Sequence, residues 1–154
     1  MNVTIVYDSV FGNTAAIARE MAGALETRHQ VRLLPVGETA GLGLEGIDLL
    51  IVGSPTRGFR PTPAIDEFVG GLAESAGHRA AVFDTRLDTE EIHPAPLRWV
   101  VQAGGYAAQR IAQDLEHRGF HIVDSAGFLV TGTEGPLKPG ETERAREWAL
   151  SLVA

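Results

Sequence analysis

Apolar segments typical of β-strands alternate along this chain with segments that have the hydrophobic spacing of amphipathic helices. The strand segments are residues 2–7, 31–36, 47–52 and 79–83, and a fifth lies within 120–130. The helical segments are residues 14–28, one that starts at Thr62-Pro63, one marked by Ala108 to Leu115 and one marked by Ala145 to Leu152. Strands that alternate with helices form a parallel sheet covered by helices on both faces. We therefore predict one doubly wound α/β domain over residues 1–154, a three-layer sandwich around a five-stranded parallel sheet.

The loop between the first strand and the first helix has the composition of an anion-binding site. It reads Ser9-Val10-Phe11-Gly12-Asn13-Thr14 and contains no positive charge. The N–H groups of such a loop and of the first helical turn have no helical partner, and the helix macrodipole favours a negative charge there. Gly12 lets the backbone approach a phosphate, and the polar side chains of the loop offer donors. These properties favour a phosphate monoester, while an ordinary capped strand–helix turn is the alternative.

Two further loops follow the carboxyl ends of predicted strands, where doubly wound sheets bind their ligands. The loop after the third strand reads Gly53-Ser54-Pro55-Thr56-Arg57-Gly58-Phe59-Arg60-Pro61. Its prolines make it stiff, and a stiff loop binds a flat heteroaromatic ring at a small ordering cost. A turn selected only for proline and glycine is the alternative. The loop after the fourth strand begins with Asp84-Thr85-Arg86-Leu87 and extends to about Pro96. We expect the three loops to line one crevice.

These three loops, in this order, resemble those of the flavodoxin family of FMN-binding proteins. The family's first motif is a hydroxyl residue, any residue, Thr, Gly, any residue, Thr, and Phe11 stands here in place of the middle Thr. The segment from Gly53 to Gly58 is similar to the second flavin loop, and the resemblance covers essentially the whole chain in its short-chain form. It implies that FMN is bound by Ser9, Val10, Phe11, Gly12, Asn13, Thr14, Ser54, Pro55, Thr56, Arg57, Gly58, Phe59, Asp84, Thr85 and Arg86.

The third loop departs from the pattern of electron-carrier flavodoxins, which usually place a tyrosine there against the outer face of the isoalloxazine. Residues 84–98 contain no aromatic side chain. Phe59, Trp99 and Tyr106 are the candidates for a ring contact, with simple packing as the alternative for each. If none of them covers the ring, we expect weaker flavin binding than is usual in the family, because stacking and exclusion of water are lost.

The arginines of the second and third loops have two interpretations. Arg57, Arg60 and Arg86 could lie near the rim of the flavin, where a cation stabilises the reduced ring, or pair with Asp84, Asp88, Glu90 or Glu91. We favour pairing for Arg60 and leave both interpretations open for the other two. Among the histidines no metal-type spacing occurs, and only His93 in the third loop is placed to act near a substrate.

Composition restricts the possible classes of function. The absence of cysteine excludes thiol catalysis, disulfides and cysteine-ligated metal sites, and fits a cytoplasmic protein. The formal net charge of −7 argues against nucleic acid and anionic membranes and is compatible with a basic protein partner. A strand that starts at residue 2 leaves no room for a signal peptide, and no apolar run has membrane-spanning length. No phosphate-loop or dinucleotide motif follows a strand.

Together the loops and the resemblance predict a protein that binds FMN non-covalently and carries electrons between a reductase and an acceptor. In this interpretation the flavin supplies the chemistry, and the protein uses no catalytic side chain and no metal. Two alternatives remain open. One is an FMN-dependent quinone or porphyrinogen oxidoreductase with its own substrate, and the other is a flavodoxin-fold module without flavin.

Overall fold

The computed structural model describes residues 1–88 and 105–154. The strands are β1 (Asn2–Tyr7), β2 (Gln30–Pro35), β3 (Leu49–Pro55), β4 (Arg79–Leu87) and β5 (His121–Val130). The helices are α1 (Asn13–Leu25), α2 (Pro63–Gly70), α3 (Ala107–His117) and α4 (Glu141–Leu152), with a 3-10 turn at Val36–Glu38. All neighbouring strands pair in parallel, and their order in the sheet is β2-β1-β3-β4-β5. The predicted five-stranded, doubly wound α/β fold is confirmed.

The sheet has a hydrophobic core on each face because alternate residues of each strand point to opposite sides. On one face α1 and α4 cover the side chains of Ile5, Ile51 and Phe83. On the other face α2 and α3 cover Val6 and Val82 together with their neighbours. The central strand β3 is buried on both faces from Leu49 to Val52, which explains its continuous apolar sequence. The result is three layers, with the strand ends left to form a binding edge.

The residues that predicted the start of α2 have the geometry expected of a helix start. Thr62 is the N-cap of α2, and its side chain accepts a hydrogen bond from the N–H of Ile65 at 3.4 Å. Pro63 occupies the first helical turn, where its missing N–H costs nothing. Among the described residues, no helix combines the length and the apolar character needed to cross a membrane.

Strands β3 and β4 extend beyond the positions predicted from sequence. The prediction assigned Gly53, Ser54 and Pro55 to the second loop and Asp84–Leu87 to the third. In the structure these segments pair with each other, with Ser54 opposite Asp84 and Pro55 opposite Thr85. Their polar side chains were interpreted as loop residues, but hydrogen bonds inside the fold satisfy them. The carboxyl edge of the sheet is therefore built partly from strand residues.

Candidate functional site

A crevice of about 290 Å³ opens at the carboxyl edge of the sheet. It lies where β1 is flanked by β2 on one side and β3 on the other, the position at which doubly wound sheets bind ligands. Its walls come from the β1–α1 loop, the end of β3 with the turn after it, and the ends of β4 and β5. The lining residues are Ser9, Val10, Phe11, Asn13, Thr14, Pro55, Thr56, Arg57, Gly58, Thr85, Arg86, Leu87, Val130 and Thr133.

The β1–α1 loop presents backbone donors to this crevice. Gly12 is the N-cap of α1 and has a φ of 95°, a left-handed conformation that favours glycine. The hydroxyl of Ser9 accepts hydrogen bonds from the N–H groups of Gly12 at 3.1 Å and Ala15 at 3.2 Å. We predicted that the Ser9 hydroxyl would donate to a ligand. In the structure its oxygen instead accepts these two hydrogen bonds and so shapes the loop. The N–H groups of Asn13 and Thr14 occupy the first helical positions, where no carbonyl of the helix can accept them.

A pair of buried hydroxyl groups lies beside these donors. The Oγ1 atoms of Thr14 and Thr85 are 2.8 Å apart, and either can be the donor. The two side chains join α1 to β4, and both residues line the crevice. Two hydroxyl groups carry two hydrogens and this bond uses one of them, so one O–H remains to donate to a ligand. Backbone and hydroxyl donors at a helix N-terminus fit a single phosphate group.

The turn after β3 forms the opposite wall. Arg57 and Arg60 exchange two backbone hydrogen bonds of 2.8 and 3.1 Å across a tight turn. The two residues between them, Gly58 and Phe59, have φ values of 55° and 70°. A bulky residue with positive φ is uncommon and carries backbone strain. The Arg57 guanidinium lies 5.7 Å from the centre of the Phe11 ring, so the two loops contact each other across the crevice mouth.

A buried carboxylate anchors the β4 wall. Asp84 has no exposed surface and accepts hydrogen bonds from Nε and Nη2 of Arg86 at 2.6 and 2.8 Å. It also accepts from the N–H of Ala108, in the first turn of α3, at 2.9 Å. Burial raises the pKa of the Asp84 carboxyl above its ordinary value, and these donors offset part of that effect. The Thr56 hydroxyl in turn accepts from the N–H of Ala107 at 3.0 Å, which ties the β3 turn to α3.

Comparison with known proteins agrees with this geometry. Residues 4–94, more than half of the chain, match the sequence model of the family described as Flavodoxin domain. The chain belongs to the flavodoxin domain family. No curated protein sequence matches it.

Solved structures show the same flavodoxin fold. A flavodoxin from the domain Archaea superposes with a TM-score of 0.75 at 18% identity, covering 99% of this chain and 96% of that one. Flavodoxin 2 from Bacillus cereus gives 0.73 at 22% identity, covering 99% and 98%. Two-electron reduced flavodoxin from Megasphaera elsdenii gives 0.68 at 21% identity, covering 97% and 98%. At these identities the likeness shows the fold alone.

Most of the site predicted from the flavodoxin resemblance lies together in the crevice, and four residues do not line it. Ser54 is fully buried, and its hydroxyl accepts from the N–H of Thr62 at 3.0 Å. Asp84 is buried beneath Arg86, Phe59 lies in the strained turn, and Gly12 shapes the loop backbone. Phe59 does not line the crevice, and its contact with a flavin ring stays a prediction, whereas Phe11 lines the crevice and is 46% exposed.

The structure places two of the three loop arginines at the crevice, and their contact with a flavin stays a prediction. Arg57 and Arg86 both line the crevice, and Arg86 also pairs with Asp84. The pairing favoured for Arg60 does not involve Asp84, which is bound by Arg86 instead. Glu90 and Glu91 lie outside the described residues, as do His93, Trp99 and the rest of the third loop up to residue 104. Tyr106 contacts Arg86 from the start of α3.

The set of site residues predicted for this flavodoxin-type crevice omitted three residues that line it. Leu87, which the sequence placed in the third loop, lies opposite Val130 at the ends of β4 and β5, and the apolar side chain of Val130 gave no signal beyond strand character. Thr133 belongs to the connector after β5, which Asn13 holds by donating from Nδ2 to the carbonyl of Glu134 at 3.1 Å. Its place after a parallel strand was the available signal, because all such connectors leave the same edge of the sheet.

Proposed function

We propose that this flavodoxin-domain protein binds FMN non-covalently in the crevice and passes electrons between a reductase and an acceptor protein. The observation that carries the proposal is the convergence of the Asn13 and Thr14 N–H groups with the Thr14–Thr85 hydroxyl pair. These donors fit a phosphate monoester, and the family supports a flavin as the molecule that bears it. A basic docking surface on the partner would complement the net charge of −7.

Each wall of the crevice has a role in this proposal. The β1–α1 loop and the hydroxyl pair would hold the phosphate, while Pro55 to Gly58 and Leu87 would border the ring. Bound FMN supplies reversible acceptance and release of electrons. The protein orients the ring, excludes water from its buried side and fixes its polar edge. The hydrogen bonds that lock Thr56 to α3 keep the ring-side wall in place before the ligand binds.

FMN should bind more than about a hundredfold more tightly than riboflavin, which corresponds to two hydrogen bonds to a charged group. The two molecules differ only in the phosphate, and each hydrogen bond to a charged group contributes about 1.5–3 kcal/mol. FAD should have no advantage over FMN, because no glycine-rich turn for a pyrophosphate is present in the sequence. Titrating the apoprotein with each flavin and following flavin fluorescence measures the three dissociation constants. Equal affinity for riboflavin and FMN would mean that the β1–α1 loop does not bind the phosphate.

Thr14→Val should weaken FMN binding by about ten- to a hundredfold and leave riboflavin binding nearly unchanged. The change removes the Thr14 hydroxyl, which lies in the first turn of α1 beside the backbone donors and which we assign as the donor to the charged phosphate, while keeping the side-chain shape. Thr56→Val should weaken FMN binding less, because the Thr56 hydroxyl bonds to the N–H of Ala107 on the ring-side wall and not to the phosphate wall. Thr39→Val, whose hydroxyl bonds to the carbonyl of Val36, is the control away from the crevice. A larger loss in Thr56→Val than in Thr14→Val would contradict the assignment of the two walls.

The rate of NADPH oxidation distinguishes an electron carrier from an enzyme with its own substrate. The FMN-loaded protein alone should oxidise NADPH no faster than free FMN does, and addition of a flavodoxin reductase should restore electron flow to a one-electron acceptor. Rapid NADPH oxidation with a quinone and without any reductase would contradict the carrier assignment.

A further inference from the structure

The side chain of Arg86 is held rigidly at the edge of the crevice. Its Nε and Nη2 atoms donate to the two oxygens of Asp84, a bidentate geometry that fixes the plane of the guanidinium. The centre of the Tyr106 ring lies 3.7 Å from Cζ, so the ring stacks on the guanidinium. A methyl group at Gly127 would overlap the guanidinium, so this arrangement requires glycine on the neighbouring strand β5. Together these contacts hold one orientation of a side chain that is otherwise flexible.

The pair is oriented with its positive end toward the crevice. Asp84 has no exposed surface, whereas 22% of the Arg86 side chain is exposed and the residue lines the crevice. The N–H of Ala108 holds the carboxylate against the N-terminus of α3, where a negative charge is favoured. A ligand in the crevice therefore lies closer to the positive guanidinium of Arg86 than to the negative carboxylate of Asp84.

One edge of the guanidinium is left to donate. Nε and Nη2 face Asp84, so Nη1 lies on the edge turned away from the carboxylate. Within residues 1–88 and 105–154, no acceptor bonds to Nη1. A charged, rigid donor beside a crevice is a binding group for a ligand oxygen or ring nitrogen that carries negative charge.

We propose that Arg86 stabilises reduced FMN relative to oxidised FMN in this site, through a hydrogen bond from Nη1 to the carbonyl edge of the bound ring. The proposal rests on the FMN-binding function proposed above. Reduction increases the negative charge on that edge, so a charge-assisted hydrogen bond stabilises the reduced state more than the oxidised one. Affinity and redox state are linked, so a preference for the reduced ligand raises its midpoint potential by the corresponding amount. Asp84 and Gly127 are positioning residues for the guanidinium.

Arg86→Lys tests this role with the fold preserved. Lysine keeps a cation for the buried Asp84, but its ammonium is drawn toward the carboxylate and lacks the planar fork. The dissociation constants of oxidised FMN and of dithionite-reduced FMN are measured for the wild-type protein and the variant. The ratio of the reduced to the oxidised constant should rise by about tenfold, which lowers the two-electron midpoint potential by about 30 mV. Arg60→Lys, in the exposed part of the β3 turn and outside the crevice, should leave the ratio unchanged.

Gly127→Ala provides a second variant that moves Arg86 without changing its chemistry. The added methyl displaces the guanidinium, so the ratio should change in the same direction as in Arg86→Lys. This variant decides the question if Arg86→Lys does not fold. If both redox states lose affinity by the same factor, Arg86 only supports the crevice wall and the proposal is wrong. If the wild-type protein binds FMN in neither state, the proposed function itself fails, and this outcome is visible before any variant is made.

Discussion

Replacing Asp84 with alanine is expected to lower the free energy of unfolding by about 3 kcal/mol, the lower end of the range for breaking a buried ion pair. The carboxylate is fully buried and accepts hydrogen bonds from Arg86 and from the N–H of Ala108. Alanine would leave these donors without an acceptor, and a buried donor without a partner costs more than its hydrogen bond contributes. The lower end applies because the Arg86 side chain is 22% exposed and can reach solvent.

Urea denaturation followed by circular dichroism measures this loss, with two comparisons that isolate the charge. Asp124→Ala is the matched control, because Asp124 is exposed and accepts hydrogen bonds only from the Trp148 indole and from the adjacent N–H of Ser125, each at 2.9 Å, among the described residues. We expect a loss below about 1 kcal/mol there. The double variant Asp84→Leu with Arg86→Leu removes both charges and should be more stable than Asp84→Ala alone. A loss under about 1 kcal/mol for Asp84→Ala would show that the Asp84 network does not hold the end of β4.

The sequence predicted the architecture because the signals for it are local. The apolar run Leu49–Val52 is typical of a strand covered on both faces, and Thr62-Pro63 has the residue types of a helix start. These features depend on neighbours a few positions away along the chain. Element types and order were therefore predictable, and the predicted sheet agrees with the observed one.

The ends of β3 and β4 were not predictable in the same way because their partners are distant in sequence. In the sequence, Asp84 and Arg86 are residue types typical of a loop. Their place in a strand becomes clear only from their contacts with Ala108 and Gly127, which the fold brings beside them. The crevice follows the same rule. The loops that form it were found from their residue types, but the turn that carries Arg57 to the Phe11 ring contains Phe59 with a positive φ. No local pattern indicates that conformation for a phenylalanine.

Gly12→Val is expected to weaken FMN binding by more than about a hundredfold, which corresponds to two hydrogen bonds to a charged group. Gly12 has a φ of 95°, and a side chain in the left-handed region costs about 1–2 kcal/mol, more for a branched one. Valine has room at this position, because nothing lies within 4 Å of an added Cβ atom. The strain is therefore relieved by rotation of the backbone, and this rotation turns the N–H of Asn13 away from the crevice. The fold should remain, while the phosphate loses its donors.

Gly77→Val separates this effect from a general loss of stability. Gly77 has a φ of 92°, also has nothing within 4 Å of an added Cβ atom, and lies in the turn before β4, at the opposite edge of the sheet from the crevice. The same substitution there imposes the same type of backbone strain without changing any donor of the β1–α1 loop. Thermal denaturation should show comparable destabilisation of the two variants, whereas fluorescence titration should show normal FMN affinity only for Gly77→Val. If Gly12→Val also bound FMN normally, the phosphate would have to bind elsewhere, since a changed Gly12 backbone cannot keep the Asn13 and Thr14 N–H groups in their present directions.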